Sequence, residues 1–531
     1  MIDVLLGQSY YLRFDAKLWG AQQPYPPLGA LYAAACLRQA GHRVALFDSM
    51  LAASEREWGL SLERETPRLA VLYEDSFNYL SKMCLLRMRA AGLAMIGMAR
   101  ARGCPVLVSG SDASDHPELY LDAGAAFVLV GEAELTLLEL VDSLTGRRPS
   151  DPGGIRGLCY RAPGGALVRT PPRSFIKDLD ALPWPAWDLV DVDRYRRRWR
   201  ARHGYHSMNL VSTRGCPYHC NWCAKPIYGQ RYAVRRPEGV ADEMAWLKGR
   251  YAPDHVAFAD DIFGLQPGWV ERFAAAVVER DAAIRFKCLS RVDLLGESVV
   301  AALRAAGCRT VWVGAESGSQ RILDAMEKGT RVEQIKEATR RLHAAGIEVG
   351  FFVQFGYPGE TREDIELTRQ LLRDCRPDDI GISVSYPLPG TRFHERVSAE
   401  LGGKRNWTDS DDLAMLYRGP FTTAFYRALH RLVHKEFRLG RLRAPGRRRQ
   451  ARETVSTLLG AATLALDRRR LERLARLPHA ALGPLPRGLT PEAAATPSPH
   501  TPALDAWRSP QEAEQENEAR VGRKAGGDGA A

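Results

Sequence analysis

No apolar run in this sequence reaches the ~18 residues that a membrane span needs, so no transmembrane anchor is expected within it. Its opening, Met1-Ile-Asp-Val-Leu-Leu, carries an acid at position 3 and no basic stretch. That reads as a strand, not as a secretory leader. Cysteine is sparse, ten in 531 residues, and not evenly paired in spacing. A disulfide-stapled secreted scaffold is thereby excluded, and a reduced, cytoplasmic protein is expected. The sequence has no G-x-G-x-x-G, which removes a dinucleotide-type phosphate loop. Acidic residues are fewer than basic ones, 63 against 74, and the imbalance is local. The stretch Arg396–Arg476 holds 19 Lys and Arg against 8 Asp and Glu, as large as the whole chain's excess of +11.

What is present centres on Ser212–Lys225, S-T-R-G-C-P-Y-H-C-N-W-C-A-K. Cys216, Cys220 and Cys223 stand in a C-x3-C-x2-C spacing, and no further cysteine follows until Cys288. Structural zinc and ordinary [4Fe–4S] clusters take four protein ligands. Three thiolates on a four-iron cluster leave one iron open to a small molecule. The alternative is a zinc knuckle with His219 or His206 as the fourth ligand.

The cysteine run resembles the cluster signature of the radical S-adenosylmethionine (radical SAM) superfamily. The resemblance implies a [4Fe–4S] cluster on Cys216, Cys220 and Cys223, as metal ligands and catalytic residues. Its open iron would chelate SAM, and reductive cleavage would give a 5′-deoxyadenosyl radical. Trp222 would lie against the adenine.

Upstream, apolar runs alternate with helix-length segments. Ile2–Gly7, Val44–Asp48, Leu69–Tyr73, Val106–Ser109 and Phe127–Val130 are predicted as buried parallel strands, with helices over Leu28–Gln39 and Tyr79–Arg102. Residues 1–146 thus form a doubly wound, Rossmann-like α/β domain. Such domains take ligands beyond the carboxyl ends of their strands. The loops there include Ser109-Gly110-Ser-Asp and Gly131-Glu132-Ala-Glu, whose small residues allow a large flat ligand close to the backbone. With P-Y-P-P-L-G at Pro24–Gly29 and G-H-R-V-A-L-F-D at Gly41–Asp48, the domain is similar to the cobalamin (B12)-binding domain that precedes many radical SAM barrels. That likeness implies cobalamin contacts at Ser109, Gly110, Gly131 and Glu132. The D-x-H-x-x-G motif with a cobalt-ligating histidine is absent; His116 directly follows Asp115. Cobalamin would be held without that histidine, or the domain is a vestige that packs on the barrel. Cys36, Cys84 and Cys104 read as core thiols.

Residues 147–204 read as a linker with a small hairpin at Leu158–Tyr160 and Ala166–Arg169. Its Leu182-Pro-Trp-Pro-Ala-Trp-Asp-Leu stretch is expected to lie over the barrel mouth. Residues 205–397 carry six strand-then-helix units, a partial (β/α)6 barrel of the TIM type. The strands are His206–Ser212, His255–Ala259, Arg285–Leu289, Thr310–Val313, Gly350–Phe355 and Asp379–Ser385. Chemistry in such barrels sits at the carboxyl ends of strands. There stand Asp260 with Asp261, Arg291, Glu316 in V-G-A-E-S-G, and Gln354. One of the two aspartates could receive the SAM ammonium or a substrate hydroxyl; the alternative is that Asp261 caps a turn. Arg291 could fork onto the SAM carboxylate or pair with a barrel acid. Glu316 could accept from ribose or amine, and Gln354 line the SAM pocket.

Residues 398–477 are expected as a helical cap, over Leu413–Leu442 and Thr454–Leu477, and 478–531 as a disordered tail. The cap's arginines are read as a solvated face; peripheral contact with an anionic membrane is the alternative, and nucleic acid is not expected. The resulting expectation is a cobalamin-type radical SAM enzyme. It would abstract hydrogen from a small organic substrate, with methyl transfer, oxidation or cyclisation to follow. Flavodoxin or ferredoxin would be its electron donor. A tRNA methylthiotransferase would need a second three-cysteine cluster, and a metal-dependent sensor would never turn SAM over.

Overall fold

The computed structural model describes residues 2–78, 85–148, 151–223, 225, 227–401, 413–442, 460 and 462–477. The described chain falls into two compact units. The first runs to Ile176 and takes in Ala181–Asp191; the second comprises Lys177–Asp180 and the chain from Val192 onward.

In the first unit, five parallel strands form as the apolar runs dictate: β1 (Val4–Gly7), β2 (Val44–Leu46), β3 (Leu69–Tyr73), β4 (Val106–Ser109) and β5 (Phe127–Leu129). Alternate residues enter two separate cores. Leu5, Ala70, Leu72, Val106, Val108 and Val128 pack on one face with Trp58, Leu62, Met95 and Ile96. Val4, Leu6, Val71, Leu107 and Leu129 pack on the other with Ala30, Leu37, Leu137 and Leu140. A strand buried on both faces has no polar side, which is why these runs read as almost continuous apolar stretches.

The strand order is β2-β1-β3-β4-β5, then β6 (Leu158–Arg161) and β7 (Leu167–Arg169), both antiparallel to their neighbours. The predicted hairpin therefore forms, but it extends the first sheet instead of standing in a linker. The proline-tryptophan stretch packs within the first unit. Ala186 lies in the second core of the first unit, its N–H donates to the Leu31 carbonyl at 3.1 Å, and Asp188 pairs with Arg38 at 2.7 Å. Burying Ala186 in an existing core, with its N–H satisfied, outweighs leaving this apolar stretch as a free spacer.

The second unit is a six-stranded parallel half-barrel in strictly sequential order: β8 (Ser207–Leu210), β11 (His255–Phe258), β12 (Arg285–Ser290), β13 (Cys308–Glu316), β14 (Glu348–Phe355) and β15 (Asp379–Val384). Between β8 and β11 lies a two-stranded antiparallel ladder of β9 (Thr213–Arg214) and β10 (Ala233–Val234). Helices Pro237–Tyr251, Trp269–Glu279, Glu297–Ala306, Val332–Ala344 and Arg362–Cys375 connect the strands, as the strand-then-helix units require. The last is started by a reciprocal cap: Thr361 Oγ1 accepts from the Asp364 N–H, and Asp364 Oδ2 accepts from the Thr361 N–H at 2.7 Å. Helix Val192–His203, inside the expected linker, was not foreseen; seven of its twelve residues are Arg or His, which hides its buried Val192, Tyr195 and Trp199 stripe.

Beyond the barrel, the helix Thr423–Leu442 packs on Arg362–Cys375 through a forked Arg369–Glu436 pair, at 2.7 and 3.2 Å. The helix Leu464–Leu474 joins it through Arg468–Glu436 and Lys435–Asp467. Residues 413–422, expected to be helical, are not; the chain there lays Met415, Leu416 and Tyr417 into a buried contact instead. Arg427, Arg431 and Arg438 are exposed on the long helix. The predicted disordered tail, Cys84 and, within Thr454–Leu477, residues 454–459 and 461 lie outside the described residues.

Candidate metal-cluster site

The loop that carries the three cysteines is closed at its base. β9 precedes it and β10 follows it, with Thr213 opposite Val234 and Arg214 opposite Ala233. The crossing is tight. Gly215, at φ +78°, passes the Arg231 carbonyl so closely that a Cβ there would stand 2.3 Å from its oxygen. Only glycine fits.

Neighbouring strand ends hold this loop in place. Behind β11, Asp260 Oδ1 accepts from the Ser212 and Thr213 N–H groups at 2.7 and 3.0 Å, and Oδ2 accepts from Ser212 Oγ at 2.5 Å. Asp261 Oδ2 accepts from the Gly215 N–H at 3.2 Å. Behind β12, the Arg291 guanidinium lies 3.7 Å over the Tyr218 ring, pairs with Asp293, and donates to the Lys328 carbonyl at 3.0 Å. Asn221 reaches the segment after β13. Its N–H donates to the Met326 carbonyl at 3.1 Å and its Nδ2 to the Ala325 carbonyl at 2.8 Å. Its Oδ1 accepts from Tyr357 Oη, beyond β14, at 2.8 Å.

The three thiols are free and close enough to feel one another's charge. Burial pushes the Cys223 thiol up to about 12, with Cys220, Asp261 and Cys216 adding to the rise and Lys225 opposing it. Cys216 is raised in the same way by burial. The loop thus favours neutral thiols when empty, and their joint ionisation calls for a cationic occupant or counter-charge. Among the described residues, no three His, Cys, Asp or Glu side chains are placed to hold a single ion. A four-iron cluster takes each thiolate on a different iron and so spreads its ligands farther apart than one ion does. The fourth ligand of a zinc knuckle is not supplied. His219 is exposed, and His206 precedes β8, at the opposite end of that strand from the cysteines. Trp222, between Asn221 and Cys223, has its Nε1 buried with no hydrogen-bond partner. The donor set and this orphaned atom fit a cluster with a bound organic ligand.

The other predicted residues are placed as follows. Asp260 serves the chain itself: its oxygens accept from Ser212 and Thr213. Burial holds its carboxyl up at about 7, against those three hydrogen bonds. Arg291 likewise takes the ion-pair alternative, with Asp293. Glu316 ends β13 at φ +54°, where the register with β14 shifts. Lys328 Nζ donates to Glu316 Oε1 at 2.8 Å, a buried ion pair that supplies the partner a lone acid would lack. Gly314 makes room for it, since a Cβ there would lie 2.5 Å from both charged atoms. Burial draws Lys328 down, but Glu316 and Cys220 more than offset this and its ammonium is held. Gln354 Oε1 accepts from Ser385 Oγ at 3.2 Å.

In the first unit, the order β2-β1-β3-β4-β5 reverses direction between β1 and β3, the place where such sheets bind ligands. Past β1, Gln8 is wholly buried with both amide atoms unpartnered, and the buried Tyr10 Oη is unpartnered too. Past β3, Glu74 accepts the Ser9 N–H on both oxygens, at 2.9 and 3.1 Å, and burial lifts it to about 8. These unsatisfied groups fit a ligand held at the switch point without a histidine. The residues named from sequence are otherwise engaged. The Ser109 carbonyl accepts from the Glu74 N–H, Gly110 abuts the Glu74 side chain, the Gly131 N–H donates to Ser114 Oγ, and Glu132 accepts from the Ile176 N–H at 2.6 Å. Gln8, Tyr10, Asn221 and Lys328 were missed. A glutamine ending an apolar strand was the available signal for Gln8; nothing local marked Asn221 or Lys328, whose partners are over 100 and 12 residues away.

A family model for the radical SAM superfamily matches residues 210–372, from the last residue of β8 into the helix before β15. Over those residues the chain carries a domain of the radical SAM type. An uncharacterised methyltransferase of Pyrococcus horikoshii is 29% identical over 387 residues, 72% of this chain and 81% of that relative. An anaerobic magnesium-protoporphyrin IX monomethyl ester cyclase of Rubrivivax gelatinosus is 30% identical over 54% of this chain and 51% of its own length. The chain thus spans about half of that cyclase. Among solved structures, the radical SAM methyltransferase TsrM of Kitasatospora setae, with cobalamin and a [4Fe–4S] cluster bound, superposes with a TM-score of 0.61 at 21% identity, over 75% of each chain. That likeness is one of fold, and it spans more of the chain than the superfamily match does. The chain is also similar in fold to the cobalamin-dependent radical SAM enzyme OxsB, with a TM-score of 0.59 at 19% identity over 70% of this chain and 52% of that one. Among the described residues, no helix is long and apolar enough to cross a membrane.

Proposed function

We propose that this chain is a cobalamin-dependent radical SAM enzyme that methylates an unactivated carbon of a small organic substrate. The observation that carries the reading is the closed loop of three free cysteines tied to the strand ends around it. When bound, the cluster supplies the electron that breaks a carbon–sulfur bond of SAM, and cobalamin supplies a methyl group. The residues of the chain bind, orient and shield. Cys216, Cys220 and Cys223 hold the iron; Trp222 offers its ring to the adenine. The Glu316–Lys328 pair presents a fixed dipole to the amino-acid end of SAM, and Gln354 lines the pocket. Gln8 and Tyr10 are the groups proposed to meet cobalamin. The buried contacts of Tyr417 and Tyr426 with Gly356 and Glu360 keep water from the ends of β14. Flavodoxin or ferredoxin in the cytoplasm would deliver the electron, and the exposed arginines of Thr423–Leu442 give peripheral membrane contact as a side possibility.

Anaerobic purification with iron, sulfide and corrinoid analysis tests this directly. Four irons and one corrinoid per chain are expected, and dithionite with SAM should release 5′-deoxyadenosine. Four irons without corrinoid, even after incubation with hydroxocobalamin, would end the methyl-transfer reading. A second reading, ring formation without methyl transfer, is favoured by the similarity to the monomethyl ester cyclase. SAM bearing a labelled methyl group separates the two, since only methylation places the label in the product.

A further inference from the structure

Lys225 has no role in the reading above. It follows the third cysteine by two positions, and its side chain is only 5% exposed. Its Nζ donates to the Tyr218 carbonyl within the same loop. Three other buried cations around this site carry a carboxylate: Arg235 has Glu243, Arg291 has Asp293 and Lys328 has Glu316. Among the described residues, no carboxylate forms an ion pair with Lys225. A buried ammonium without a counter-ion is costly, so it stands where opposite charge is expected.

The backbone supports the same conclusion. Lys225 has φ +48° and Ile227 φ +72°. Neither is glycine, and a β-branched residue is a strong outlier there. The turn holds an unfavourable conformation and thereby keeps the ammonium inside the loop. Strain of this sort collects where a side chain must be held in one place. Lys225 acts on Cys216 and Cys223, and Asp261 acts on the same two thiols with the opposite sign.

We propose that Lys225 is the built-in counter-charge of the three-cysteine loop, a buried ammonium that favours both cluster assembly and uptake of the reducing electron. The inference rests on the cluster reading above. Three thiolates give the loop net negative charge, and the electron from the external one-electron donor adds one unit more. No bond at Lys225 forms or breaks. Net charge near an iron–sulfur cluster is one of the main determinants of its potential. In a water-poor loop a fixed cation acts with little screening. Lys225 is a positioning and tuning residue, not a catalytic one.

The test uses the full chain, purified without oxygen, as wild type, Lys225→Met and Lys225→Arg. The readouts are iron and sulfide content at limiting iron, and the cluster midpoint potential from a reductive titration followed by electron paramagnetic resonance. Circular dichroism checks folding. Lys225→Met should take up less iron and have a more negative midpoint, while Lys225→Arg should stay near wild type in both. A fully loaded Lys225→Met with an unmoved midpoint overturns the proposal. So does equal impairment of both variants, which would make the shape of the side chain decisive and its charge irrelevant. Wild-type protein that assembles no cluster would sink the cluster reading itself. A loaded wild type with an unmoved methionine variant would sink the role of Lys225 alone.

Discussion

The two parallel sheets bring residues to their carboxyl edges in different ways. The half-barrel runs β8-β11-β12-β13-β14-β15 without reversal, so each successive strand end adds a group to one shared rim. Asp260, Arg291, Glu316 and Tyr357 come from four consecutive strands, and three of them bear directly on the cysteine loop. The first sheet instead reverses between β1 and β3, and the groups at that break, Gln8 and Tyr10, are unpartnered side chains. One site is therefore a loop braced by many elements. The other is a gap in the order of strands, marked by what its residues lack.

If the two sites are independent, damage to one should spare the other. The largest effect is expected from Cys216→Ala, Cys220→Ala or Cys223→Ala. Each should abolish four-iron content and 5′-deoxyadenosine release, while corrinoid absorbance in the purified chain persists. Corrinoid lost together with the iron would break the comparison.

Next is Trp58→Ala in the first unit. This ring is fully buried and its Nε1 donates to the Met95 carbonyl at 3.1 Å. Its loss should cost about 3–5 kcal/mol. Denaturant titration should show corrinoid release moving to lower denaturant, with the iron–sulfur absorbance lost where it is in the wild type.

Asn221→Ala is milder. It strands the Ala325 and Tyr357 partners at a cost of about 1–3 kcal/mol. Iron should leave faster under chelator challenge, with no change in corrinoid.

The smallest and most diagnostic effect is one of pH. Glu360 is buried, accepts from the Gly356 N–H and Tyr426 Oη, and is held by burial at about 8. The folded state keeps this proton longer than the unfolded one does. Its contribution is full below about pH 4.5 and is lost as pH rises through about 8. Glu360→Gln should flatten the fall in melting temperature across that window. An unchanged slope would show that the carboxyl is ionised in the fold.

The sequence made the barrel legible nearly to the residue because its chemistry is local. Three cysteines within eight positions, and strands bounded by glycine and helix starts, need no knowledge of distant partners. The roles of Asp260 and Arg291 were less legible. Their alternatives were visible, but the choice between ligand and chain depended on Ser212, Thr213 and Asp293 coming within reach in three dimensions. Ser109, Gly110, Gly131 and Glu132 stand at the predicted strand ends, yet each is engaged by its own surroundings. Gln8 was harder still: an unsatisfied amide exists only relative to the packing around it. The core contact of the Leu182–Leu189 stretch was not legible, because proline-rich apolar sequence looks the same whether it spans a gap or lines a core.

The brace around the cysteine loop contains no sulfur. Its ladder, the Asp260 carboxylate, the Asn221 amide and the Arg291–Tyr218 stack are contacts among oxygen, nitrogen and aromatic carbon. Air that strips the iron would therefore leave the mould standing, and the emptied chain should be refillable in place without passing through the unfolded state.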